Sequence, residues 1–131
     1  MFKKAIAIAA AAAGIIALTG GTAFAYGSKS TKLSNGVLKV TADNGCTVTG
    51  NCSLYYAQTS YKKTGGDRVS IQLALSTGVA LFKTDAMKIS AGETKTKNWG
   101  GLAKSQTTDC SVAGYMIAST GKYYTPNLDV C

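Results

Sequence analysis

The sequence predicts a small all-β protein: a disulfide-stapled β-sandwich of about seven short strands, with Ig-like topology as one candidate. Three observations carry that expectation. From position 36 onward apolar residues recur with period two, not the 3.6 of a helix. Glycine-bearing turns break the chain at short intervals, as in sandwiches built from short strands. Four cysteines, Cys46, Cys52, Cys110 and Cys131, stand in a chain of 131 residues.

Residues 1–25 read MFKKAIAIAAAAAGIIALTGGTAFA. Lys3 and Lys4 precede an apolar run from Ala5 to Leu18, and Ala23-Phe24-Ala25 supplies a small-x-small cleavage signal. This is the layout of a secretory signal peptide cut after Ala25. The run of about 14 residues falls short of the roughly 20 that cross a bilayer as a helix, so stable membrane insertion is not expected. Gly21 stands where a lipobox would carry its lipidated cysteine, which argues against a lipid anchor. The expected product is bacterial, secreted and extracellular. It is also basic: the whole chain has 14 basic and 6 acidic residues, a net +8. Loss of Lys3 and Lys4 with the leader would leave about +6, spread over a single domain.

Residues 26–35, YGSKSTKLSN, are polar and basic with one large aliphatic side chain. They read as a flexible basic N-terminal arm, which leaves 36–131 as one folded domain. Leu38, Val40 and Ala42 then alternate with Val37, Lys39 and Thr41, a half-buried strand. SLYYAQTSY, rich in tyrosine and threonine, is a second strand, and KKTGGD suggests a hairpin into RVSIQLALS. There Val69, Ile71, Leu73 and Leu75 share one face. ALFKTDAMKIS supplies one or two short strands. In Ser90-Ala-Gly-Glu93 the glycine favours a turn over a helix capping box. ETKTKNW reads as an exposed strand, and CSVAGYMIAS and KYYTPNLDVC close the chain. Pro126 belongs at a strand end or edge.

An even number of cysteines in a small exported chain points to disulfides. Zinc would call for histidine or paired C-x-x-C spacings, and a dithiol redox centre for C-x-x-C. The chain has neither histidine nor C-x-x-C. Of the three pairings open to four cysteines, Cys46–Cys52 with Cys110–Cys131 is favoured. The first would flank a tight hairpin at Gly50-Asn51, and the second would tie the last residue into the body.

The lack of histidine also closes the Ser-His-Asp and Cys-His nucleophile systems. The acids Asp43, Asp67, Asp85, Glu93, Asp109 and Asp129 sit in turn-like surroundings, so paired-carboxylate chemistry is not favoured. No enzyme activity, cofactor or metal is expected.

What remains is surface. Tyrosine and tryptophan offer large contact area with a polar tip. The candidate binding residues are Tyr55, Tyr56, Tyr61, Lys62, Lys63, Trp99, Tyr123 and Tyr124. Core packing competes for Trp99 and for one member of each Tyr-Tyr pair, since neighbours in a strand point oppositely. The partner is expected to be an extracellular protein or a cell-wall glycopolymer. Nucleic acid is not expected, because Arg68 is the only arginine and base reading relies on that side chain.

The order SYKKTGG, NWGG, DCSVAGYM and YYTPNLDVC resembles that of small secreted disulfide-bonded β proteins of Streptomyces-type actinobacteria. Their bodies run from a tyrosine–lysine–glycine hairpin to a terminal cysteine just after Thr-Pro. The resemblance covers roughly residues 46–131 and carries over no functional residue. One function it implies is that of an umbrella-toxin adaptor, which links a lectin to a larger toxin chain. The leading expectation is therefore a non-enzymatic binding or adaptor module. The alternatives are an antibacterial or toxin-complex-associated protein, and a protease inhibitor presenting the closed loop Thr47–Asn51.

Overall fold

The period-two stretches form ten strands in two antiparallel sheets in a computed structural model that describes residues 26–131. The leader read over residues 1–25 lies outside the described residues. One sheet contains β1 (Gly27–Leu33), β2 (Gly36–Asn44), β3 (Leu54–Lys63) and β7 (Thr94–Ala103), in the order β1-β2-β3-β7. The other runs β9 (Gly121–Tyr124), β8 (Ser111–Ala118), β4 (Val69–Ser76), β5 (Leu81–Lys83). Two further short strands join it: β6 (Met87–Ile89) pairs with β4, and β10 (Leu128–Asp129) pairs with β8. The expected seven strands become ten because β1 and the short β6 and β10 also pair. The β3–β7 neighbours and the β9-β8-β4-β5 order reproduce the B–E and G–F–C–C′ pairings of an Ig-type sandwich, with β2 as strand A.

Three local expectations are corrected. Residues 26–35 are not a flexible arm. Gly27 to Leu33 pair residue for residue with Ala42 to Gly36, and Thr31 Oγ1 donates to the Tyr124 carbonyl at 2.6 Å, joining the edges of the two sheets. Of this edge strand only Leu33 packs against the core, so the polar residues before it hid the strand. Second, KKTGGD is not a hairpin. β3 and β4 lie in different sheets, because both carry an apolar face and the two faces pack against each other. Third, Cys46 does not open a tight hairpin. Gly45–Val48 form one helical turn, α1, whose N-cap Asn44 accepts from the Cys46 amide at 3.0 Å. The disulfides themselves are Cys46–Cys52 and Cys110–Cys131.

The inner faces meet in two clusters. Val40, Ala42, Tyr55, Ala57, Leu75, Val112, Leu128 and Val130 form one; Leu38, Tyr61, Ile71, Leu73, Ile89 and Met116 form the other. Between them Gly114 lets the sheets close up, since a β-carbon there would press on Val40 and Thr125. Burial of each large aliphatic or aromatic side chain contributes about 1.5–3 kcal/mol.

Strand direction gives the sandwich two different ends. The hairpin end gathers the turns 34–35, 64–68, 90–93 and 119–120. The stapled end gathers 45–53, 77–80, 104–110 and the C-terminus, and so holds both disulfides. It also holds Asp109 and Cys110, which among the described residues are the non-glycine positions with positive φ, in the turn that feeds β8.

Candidate functional site

Two places draw the candidate residues together: a recess at the hairpin end, and an aromatic edge beside the stapled end. The recess has a volume of about 100 Å³. β3 brings Tyr61 and Lys63 to it, and the β8–β9 hairpin brings Thr120 and Tyr123. Ser34 and Asn35, from the β1–β2 turn, complete a polar rim over a floor that includes Ile71 and Met116. Lys63 departs from the solvated cation the sequence suggested. It is 1% exposed, because period two turns it inward behind Thr59 and Tyr61 while Lys62 takes the solvent face. Its Nζ donates to the Gly65 carbonyl at 2.6 Å and makes no ion pair among the described residues. Burial, then the nearby Tyr123, raises the Tyr61 hydroxyl above its ordinary value. The Tyr123 hydroxyl shares a 3.0 Å hydrogen bond with Thr120 Oγ1.

The aromatic edge is built by a β-bulge. Ala57 of β3 faces both Trp99 and Gly100 of β7, where Gly100 takes φ +75. Period two turns the indole toward the space between the sheets, since Lys97, two residues before it, is paired with the buried Thr59. Nε1 donates to Thr59 Oγ1 at 3.0 Å, and Thr59 Oγ1 donates in turn to the Ala74 carbonyl at 2.9 Å. Trp99 is thus half-buried: one side joins the core, and the rest meets Phe82 of β5, ring centroids 6.4 Å apart. Lys97 Nζ lies 5.8 Å from the indole centroid, a cation–π contact. Val79, Leu81 and Phe82 remain 63, 46 and 39% exposed. β5 and β7 are each the last strand of their sheet, so both offer unpaired backbone groups on the same side of the molecule.

The other candidates divide as period two requires. Tyr55 is a core residue and leaves the list of surface contacts, while Tyr56 points outward and is half-buried. The Tyr55 hydroxyl has no hydrogen-bond partner among the described residues, and burial pushes it up to about 12. Tyr124 is 58% exposed and lies on Tyr115, centroids 4.4 Å apart, away from both places. Val79, Leu81 and Phe82 were not among the residues that the sequence singled out. The signal was the unbroken Val79-Ala80-Leu81-Phe82 run after a Thr-Gly turn: strand neighbours point oppositely, so such a run cannot all be buried.

Among the described residues no helix is long and apolar enough to cross a membrane. The two disulfides fit an oxidising, extracellular-type environment. No protein-family model, curated protein or solved structure matches the chain.

Proposed function

We propose that the protein is a secreted, non-enzymatic binding module that holds an extended acidic segment of another extracellular protein along the aromatic edge. The observation that carries this reading is the run Val79, Leu81 and Phe82, exposed beside Trp99 and bordered by Lys95 and Lys97 on an open strand. Apolar anchors of this kind supply contact energy. The unpaired β7 backbone can receive an added strand. The lysines choose its charge. They also oppose pairing with a second copy, since two such edges would bring like charges together. The protease-inhibitor reading loses ground, because the loop closed by Cys46 and Cys52 contains a helical turn and not an extended segment. An adaptor within a toxin particle is one setting in which such an edge would serve.

The test is recovery of partners from spent culture medium by immobilised protein, comparing wild type with Phe82→Ser and with Lys95→Glu/Lys97→Glu. The expected result is one protein retained by wild type, lost from both variants, released by salt and bound through an acidic stretch. Retention unchanged by both variants, or retention of glycopolymer alone, would overturn the reading.

A further inference from the structure

The recess at the hairpin end is independent of the aromatic edge, and it contains a feature that the fold does not require. Lys63 is a buried ammonium with one hydrogen bond, to a neutral carbonyl, and no ion pair among the described residues. Buried charges are ordinarily paired, because removing an ion from water is unfavourable unless an opposite charge or several dipoles replace the solvent. An ammonium has three donors, and Gly65 takes one. The Tyr61 hydroxyl, on the same recess, has no hydrogen-bond partner among the described residues, and neither do the side chains of Ser34 and Asn35. Polar side chains with hydrogen-bonding capacity to spare therefore line the recess around a cation without an anion among the described residues.

We propose that this recess binds a small monocarboxylate, its carboxylate near Lys63 and the Tyr61 hydroxyl and its aliphatic part on the apolar floor. The volume, about 100 Å³, is that of roughly three water molecules at liquid density, enough for a carboxylate and a few carbons. The floor selects the class. Val69, Ile71 and Met116 would leave one side of a phosphate or sulfate without donors, whereas an alkyl group is at home there. The same chemistry could arrive as a free short-chain acid or as the terminal carboxylate of a peptide.

The test is amide-resolved NMR titration of the secreted protein at constant ionic strength, using butyrate, N-acetylalanine, butyramide and inorganic phosphate. Butyrate or N-acetylalanine should give saturable shifts centred on Asn35, Lys63 and Thr120, at least tenfold tighter than butyramide or phosphate. Tighter binding of N-acetylalanine assigns the ligand to a peptide terminus; tighter binding of butyrate assigns it to a free acid. Lys63→Met should abolish the preference for carboxylate over amide. If that variant does not fold, Tyr61→Phe, which removes one hydroxyl, should weaken carboxylate binding severalfold. Equal shifts from butyrate and butyramide, a preference for phosphate, or no response would overturn the proposal.

Discussion

The two ends of the sandwich close by different means. At the stapled end two disulfides cross-link the chain, while Val48, Val79, Leu81 and Phe82 remain in solvent. At the hairpin end there is no cross-link, and even a lysine is drawn inside. The difference shows how a small domain frees apolar side chains for contact. Each one left outside forgoes about 1.5–3 kcal/mol of burial, and a cross-link that restricts the unfolded chain supplies a similar amount. The hairpin end, without that support, relies on its cluster of Leu38, Tyr61, Ile71, Leu73, Ile89 and Met116.

The largest effect that could break this contrast is loss of a cross-link. In the chain-entropy model, Cys110→Ser/Cys131→Ser should lower the unfolding free energy by about 3.5 kcal/mol and Cys46→Ser/Cys52→Ser by about 2.5, following sequence separations of 21 and 6. Urea denaturation reads both. Equal losses, or the reverse order, would mean that loop closure does not govern this end. Neither change should alter the NMR titration of the distant recess.

Next comes Tyr55, beside the stapled end. Its hydroxyl sits at about 12 when folded against 10 when unfolded, so above pH 10 the unfolded chain releases this proton first. Stability is then fully present below pH 10 and declines through pH 12, by roughly 2–3 kcal/mol from this group. Unfolding free energies measured from pH 9 to 12 should show that fall in wild type and a smaller one in Tyr55→Phe. A wild-type slope retained by the variant would reassign the effect to other tyrosines.

Smaller still is Lys63→Met in the absence of ligand. Removing an unpaired buried charge while keeping the stem should raise stability by about 1 kcal/mol. A loss of that size instead would show the lysine to be a structural tie of the hairpin end. Phe82→Ser should change stability least, by less than about 0.5 kcal/mol, and its effect should appear in partner recovery alone. A large loss of stability would place Phe82 in the core.

Much of the fold was legible because β2, β3 and β4 each turn an apolar face to the core, which period two records directly, whereas β8 is buried on both faces from Val112 to Met116 and reads as a continuous run. The cysteine pairing was legible from spacing and chain size. β1 was not, since at this edge Leu33 is the one large apolar side chain of the strand that reaches the core. The passage from β3 to β4 was misread because glycines mark a reversal without saying whether the next strand pairs or crosses to the other sheet. Of the candidate site, Trp99 and the Tyr61–Lys63 stretch were legible as residues to watch, but their surroundings were not. Lys63 reads as a solvated cation in any sequence; only its register beside Thr59 and Tyr61 turns it inward. Phe82 was not singled out, and its exposure follows from the shortness of β5, which has no strand beyond it.

The most direct measurement of the central claim is site-specific photo-crosslinking in spent medium, with the reactive group at position 81 or, as the control on the opposite edge, at position 124. The expected result is a single adduct from position 81 only. It should map to an extended acidic stretch of one protein and vanish with Lys95→Glu/Lys97→Glu. Adducts of the same kind from both positions, or an adduct indifferent to the lysine reversals, would contradict a binding edge between β5 and β7.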